Sequence, residues 1–293
     1  MQGENDDKQQ QIHPHAGLED QVQDKMSGLE DLRCEEQDLQ TSLREGEQVE
    51  IDGDYLNNIQ IYIRKQLPPL SVTGVDANVR AQIIDEMIRS TISGFVPPLA
   101  VHLAVQLLDQ YFASNSQAVK ALNPHTVASS ALSIAMKRGL NPTDLVGGAQ
   151  NRNEFEILNH IGYGLNAPTR KMLVDAVIDS TEPHPLTLVC LWNYFTDLSL
   201  LEKDCSNFKI SDLTAAIIFI GLFLFQSYQS PQLELPWEWD TQRLREAVTI
   251  LHQLHLGSRL PTCRSVKTKF SPSSRCSVAT LTCPLVIPDS YFC

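Results

Sequence analysis

A chain of 293 residues with 42% hydrophobic and 20% charged residues has the composition of a soluble globular protein, long enough for one large core or two ordinary ones. Its formal net charge of −12 is concentrated at one end: residues 1–52 carry 15 acidic and 4 basic side chains, and the remainder is nearly neutral. That balance argues against nucleic acid, because neither part holds the basic surplus that phosphate binding needs.

Met1 to Asp52 is rich in Gln, Glu and Asp and poor in aromatic residues, a composition that predicts a disordered acidic leader. The first thirty residues contain no apolar run of the kind a secretory signal has. Asp54 is placed to cap a helix over Tyr55 to Arg64, on which Tyr55, Ile59 and Tyr62 form one apolar stripe; Pro68-Pro69 ends it. Asp76 or Asn78 caps the next helix, which runs to about Ser93 and stops at Gly94. Pro97-Pro98 opens another, apolar around most of its circumference from Leu99 to Phe112, and so predicted to be central. Pro124 introduces an Ala- and Ser-rich helix over Val127 to Lys137, and two short helices follow, Pro142 to Val146 and Asn153 to Ile161.

Ala167-Pro168-Thr169 begins a second helical run, with segments at Pro168 to Ser180, Pro185 to Leu201, Ser211 to Tyr228 and Thr241 to Leu256. The most apolar stretch, Leu213 to Phe225, is short of the ~20 residues a bilayer span needs and reads as a buried helix. No strand alternation or hairpin turn occurs. After Gly257 comes a basic, serine-rich tail whose last part, Val278 to Phe292, is apolar enough to pack back on the body. The seven cysteines (Cys34, Cys190, Cys205, Cys263, Cys276, Cys283 and Cys293) are odd in number and contain no CxxC pair. Free thiols are the expectation, with zinc at the last four as the alternative. No GxSxG, HExxH, P-loop or GxGxxG is present, so the sequence offers no catalytic apparatus and no cofactor site.

Several segments resemble the cyclin family, and within it the mitotic A/B type. Val79-Arg80-Ala81-Gln82-Ile83-Ile84-Asp85 is similar to the family's Met-Arg-Ala-Ile-Leu-Val-Asp motif. Leu107 to Phe112 resembles its Ile-Asp-Arg-Phe-Leu segment, and Ile134-Ala135-Met136-Lys137 the Ala-Ser-Lys that ends the third helix. Leu198 to Leu201, Ser265 to Phe270 and Val278 to Leu281 echo later segments, so that the resemblance covers residues 54–292. It implies an all-α fold of two tandem five-helix cyclin boxes. The N-terminal box with its preceding helix would occupy residues 53–166, and the C-terminal box with its tail residues 167–293. It also implies a non-enzymatic regulatory subunit of a cyclin-dependent protein kinase, in nucleus and cytoplasm, with kinase substrates or inhibitors as further partners and neither nucleic acid nor membrane. A scaffold of the same fold without kinase activation, or a transcription-related protein, is the alternative.

The resemblance assigns roles to particular residues. Arg80 and Asp109 match a buried interhelical ion pair, against the plainer alternative of two solvated surface charges. Lys137 and Glu154 match a pair that reaches kinase main-chain groups, each expected to be solvated until the partner arrives. A helix-dipole preference would by itself also place a Lys at one helix end and a Glu at the next helix start. Ile59, Tyr62, Ile134, Phe155, Leu158, Tyr163 and Leu165 would form the apolar part of the same face, with a core role competing for Ile134 and Leu158. A docking shelf for Arg-x-Leu peptides is degraded: Val79, Gln82 and Glu86 stand where the family has Met, Ile and Trp. Arg64-x-x-Leu67 has the spacing of a destruction box but falls on a helix end.

Overall fold

Ten α-helices, four short 3-10 helices and no strand make up the regular structure of the described residues, which in this computed structural model are 53–113, 122–140, 152–162, 165–180, 183–260 and 262–292. In chain order they are α1 (Gly53–Lys65), α2 (Ala77–Ile92), α3 (Pro98–Ala113), α4 (Pro124–Leu140), α5 (Arg152–His160), α6 (Arg170–Asp179), α7 (Leu186–Leu201), α8 (Ile210–Phe225), α9 (Thr241–Leu256) and α10 (Ser265–Phe270). The all-α class read from the sequence is what the chain adopts. The leader and the Pro142 to Val146 segment lie outside the described residues, so the first half shows four helices (α2–α5) after α1 and the second shows five (α6–α10).

Local chemistry sets most boundaries. Asp76 caps α2 by accepting from the Asn78 and Val79 amides, Thr169 caps α6 from its hydroxyl, and Asp240 caps α9. Proline opens α3 and α4, where its missing N–H costs nothing. Helix α8 stops at Phe225, where the apolar run ends and three residues before the end of the predicted Ser211 to Tyr228 segment. Ser227 and Tyr228 both take positive φ, and the Tyr228 amide folds back onto the Phe223 carbonyl at 2.8 Å. The sequence did not single out α10 as a helix: its six residues are too few and too basic to show a helical apolar period.

Each half is built around one helix. α3 has eleven buried residues and packs between α2 and α4, with α5 laid against α4. α8 is buried nearly all round and packs against α6, α7 and α9. A Cβ on Gly221 would meet Trp192 Cδ1 at 2.4 Å, so only glycine lets α8 lie this close to α7. Among the described residues no helix is long and apolar enough to cross a membrane. α1 packs on α6, with Ile59 fully buried and the Gln60 amide donating to the Pro236 carbonyl at 2.9 Å.

The halves meet through buried polar side chains along α2, α3 and α7. Arg80 is fully buried and donates from Nε and Nη2 to the two oxygens of Asp109 at 2.7 and 2.8 Å. Its Nη1 donates to the carbonyls of Leu200 and Leu201 at the end of α7, at 3.0 and 3.2 Å. Asp109 also accepts from the Ser206 hydroxyl at 2.8 Å. Asp85 caps α10 from 180 residues away, accepting from the Ser265 amide and hydroxyl, both at 2.8 Å. Asp197 on α7 accepts from His102 Nε2 at 3.0 Å and from Lys269 Nζ at 2.8 Å. Burial alone would raise the Asp197 carboxyl, but those two partners hold it below its ordinary value. In the second half, His255 donates from Nε2 to the Leu281 carbonyl at 3.0 Å and accepts at Nδ1 from the Tyr194 hydroxyl at 3.1 Å.

Two stability measurements test this arrangement. Arg80→Ala leaves Asp109 buried without its cation and the α7 carbonyls without a donor, so it should cost ~3–5 kcal/mol in denaturant titration. Replacing the pair together by Met and Leu should recover much of that loss. A cost for Arg80→Ala below ~1 kcal/mol would contradict the structural role. The second test is acidification. Burial lowers His255 to about 4, so the folded form binds its proton later than an unfolded histidine at 6.5. Its contribution is complete above pH 6.5 and declines as pH falls from 6.5 towards 4, by roughly 2–3 kcal/mol in all. His102 is shifted in the same direction by burial and adds to the fall. In His255→Gln the drop in melting temperature between pH 7 and pH 5 should be markedly smaller than in the parent chain.

Candidate partner-binding face

Helix α4 ends beside the start of α5, and the ionisable residues at this junction face each other. Ser133 and Lys137 are one turn apart on α4 and therefore share a face. Glu154 sits in the first turn of α5, where the helix N-terminus favours an anion, and Lys137 lies in the last turn of α4, where a cation is favoured. Lys137 Nζ donates to Glu154 Oε2 at 2.7 Å, and the Ser133 hydroxyl donates to Oε1 at 2.7 Å. The two ends of the pair differ in access: the Lys137 side chain is 29% exposed, that of Glu154 only 6%.

This corrects the expectation that both groups are solvated in the free chain. Glu154 is buried, and the two bonds crossing from α4 satisfy it. Lys137 uses one of its three N–H groups on Glu154 and keeps the others for an outside acceptor. The pair is thus an internal tie with one outward-facing end. Ser133 is the residue that sequence reasoning missed; its signal is the four-residue spacing from Lys137.

The apolar residues assigned to the same face divide. Phe155 is 51% exposed, beside a shallow cleft it forms with Arg152, Glu156, Asn159 and His160. Tyr62 and Leu165 are half-buried against the core. Ile59, Ile134 and Leu158 are 0–2% exposed, so the contact role assigned to them is corrected to a core role. Their positions on α1, α4 and α5 place them on the inward stripes of amphipathic helices, where burying a side chain of that size contributes ~1.5–3 kcal/mol. Tyr163 lies outside the described residues. On α2, Gln82 and Glu86 are exposed and Val79 is half-buried, so the place of the docking shelf is accessible but polar. A separate apolar groove of about 370 Å³ runs beside the junction, lined by Leu99, Leu103, Met136, Arg138 and Met172 among others.

With this geometry in view, comparison with known proteins locates the fold. Residues 171–284 match the family described as "Cyclin, C-terminal domain". The carrot (Daucus carota) protein "G2/mitotic-specific cyclin C13-1" is 24% identical over 234 residues, which is 74% of this chain and 69% of the relative. From rice (Oryza sativa subsp. japonica), "Cyclin-A3-1" is 24% identical over 261 residues, covering 82% of this chain and 66% of the relative. "Cyclin-A1-3", also from rice, is 26% identical over 238 residues, covering 74% and 48%. These matches, at modest identity, support a divergent member of the cyclin family. The matched stretch spans between about half and two thirds of these relatives' own length. Cyclins are regulatory subunits rather than enzymes, and the cell-cycle assignment is made at the level of the family.

The junction gives its own prediction. Glu154→Ala and Lys137→Ala each leave a polar group at a partly buried site without its partner. The double substitution removes both charges together. A double-mutant cycle on thermal stability should give a coupling of ~1–3 kcal/mol between the two residues. Strict additivity would mean that the pair is a surface contact of no consequence to the fold.

Proposed function

We propose that this chain is a regulatory subunit that binds a cyclin-dependent protein kinase and holds the kinase's regulatory helix in its active position. The observation that carries the reading is the Lys137–Glu154 junction with Phe155 beside it, in a chain of the cyclin family. A kinase is active when its strand lysine and regulatory-helix glutamate are paired, so a partner that packs on that helix activates without chemistry of its own. Lys137, fixed by Glu154 and carrying spare donors, is suited to the carbonyl groups at a helix end, where the last four lack intrahelical partners. Phe155 supplies an exposed aromatic anchor next to it, the kind of side chain that concentrates binding energy once water is excluded. Glu154 acts in this reading by positioning Lys137, since its carboxylate is buried and each oxygen already accepts one bond from α4.

A second reading, a cyclin-fold scaffold without kinase activation, is favoured by a specific feature. Burial of Ile59, Ile134 and Leu158 leaves a smaller apolar contact surface than the resemblance implies. Glu86 in place of an aromatic residue points the same way for substrate docking.

A binding and activation assay separates the two. The full chain, tagged, is offered to a panel of cyclin-dependent kinases, and affinity and phosphoryl transfer to a peptide substrate are both recorded. The Lys137→Ala/Glu154→Ala double variant, assayed well below its melting temperature, should bind roughly a hundredfold more weakly, which is ~2.7 kcal/mol. Unchanged affinity in that variant would remove the junction from the contact. Binding of the parent chain without any rise in phosphoryl transfer would support the scaffold instead.

A further inference from the structure

The near-neutral charge of the body conceals a local imbalance. Residues 247–288 hold five basic side chains, Arg259, Arg264, Lys267, Lys269 and Arg275, and no acidic one. Lys269 is spent on Asp197, and the Arg275 guanidinium lies 5.8 Å from the centre of the Phe270 ring. The other three line one cleft of about 350 Å³ between the end of α9 and α10. Gly257 closes α9 in the left-handed conformation, φ 76°, and the Ser258 amide returns to the Gln253 carbonyl at 3.1 Å. On α10 and its flanks, Lys267, Thr268 and Ser271 follow Arg264 at helical spacing, so the four form one polar stripe. Val266 and Phe270, on the opposite side of α10, are 1% exposed and fix that stripe outward. The floor of the cleft is apolar, made by the buried Leu198, Leu201 and Leu254, and no carboxylate lines it.

The donors left over at this cleft set its chemistry. Lys267 Nζ gives one N–H to the His255 carbonyl at 3.2 Å and keeps two. Arg259 binds Gln253 Oε1 through Nε at 2.8 Å and Glu202 and Asp204 through Nη1 at 3.0 and 3.3 Å, which leaves Nη2. Those bonds give Lys267 and Arg259 an internal use, as a helix-end cation and an ion-pair partner. Arg264 has none: it is exposed, and its side chain bonds to no described residue. We propose that this cleft is a binding site for a phosphorylated serine or threonine in a partner's peptide segment. Arg264 and Lys267 grip the phosphate, Arg259 Nη2 and the Thr268 hydroxyl supply further donors, and an apolar neighbour of the phosphoresidue rests on the leucine floor. A phosphate monoester carries close to two charges and three acceptor oxygens, which suits several donors gathered in one cleft better than a carboxylate does. Inorganic phosphate would leave the leucine floor bare. A bilayer is a poor match because those leucines are buried and none protrudes, and a nucleic acid because the spare cations are confined to one cleft. The site shares no residue with the α4–α5 junction, so it stands whether or not that junction contacts a kinase.

The test uses the full chain and fluorescence anisotropy with a labelled peptide library in which a fixed phosphothreonine is followed by leucine. The phosphorylated library should bind about tenfold more tightly than the same library without phosphate, and added salt should narrow the gap. Arg264→Glu reverses the one charge that has no internal use. It should abolish the preference for phosphate while the melting temperature stays within ~1 °C of the parent. Lys267→Gln should weaken binding as well, whereas Arg275→Gln, in the same basic tail but outside the cleft, should bind as the parent does. Equal binding of the two libraries, a preference that survives Arg264→Glu, or sodium phosphate binding as tightly as the phosphopeptides would each overturn the proposal. So would Arg264-dependent attachment to vesicles of phosphatidylserine and phosphatidylcholine, or to single-stranded DNA, in place of the peptides.

Discussion

The buried Arg80 guanidinium is the group on which the two halves of this fold depend. It spends four of its five N–H donors on two different problems. One is the charge of Asp109 on the neighbouring α3; the other is the pair of carbonyls that end α7, which no intrahelical amide can reach. A buried ion pair alone contributes little net stability, because desolvating both charges costs about as much as their attraction returns. Here the cation also terminates a helix from the other half. Removing it would therefore expose faults on both sides of the seam at once.

The other polar ties on that seam follow the same logic. Asp85 supplies the N-terminal cap that α10 lacks in its own sequence, since Arg264 before it makes no side-chain cap bond. Lys269, at the far end of that short helix, returns to Asp197 on α7, which also holds His102 from α3. A six-residue helix is far below the length that is stable alone. It exists because α2 and α7 hold its two ends, and in doing so it ties the tail to the first half. Apolar contacts between α2 and α7 would bring the halves together, but they would specify the relative rotation less sharply than directional bonds to fixed carbonyls do.

This explains which parts of the structure were legible in the sequence. Helix extents followed from proline, glycine and capping residues together with apolar spacing, and the central roles of α3 and α8 followed from their all-round apolarity. Arg80 and Asp109 were identified only through the resemblance, because nothing local distinguishes a buried charge from a surface one. Asp85, His102 and Asp197 gave no signal for the same reason: their partners are between 72 and 180 residues away. At the α4–α5 junction the residue types were read correctly and their state was not. Whether Glu154 is solvated depends on how closely α5 approaches α4, which is a packing outcome. Ile59 and Ile134 show the same limit, since an apolar stripe marks what a helix buries without saying what it buries it against.

For the proposed contact with a kinase, the junction's internal pairing has an energetic consequence. Had Lys137 and Glu154 been two independent solvated groups, each would lose rotamer freedom and hydration at the moment of contact, at ~0.5–1.5 kcal/mol for each long side chain ordered. With Glu154 already buried and bonded to Ser133, that loss belongs to folding instead of binding. Lys137 is held by one strong bond to a fixed carboxylate, so its remaining donors point within a narrow range. What is sacrificed is reach, because a tethered ammonium cannot search for a misplaced acceptor. Such a site suits a partner that presents its carbonyl groups in one rigid arrangement, as the end of a helix does, and discriminates against a flexible peptide that would have to be ordered to match it.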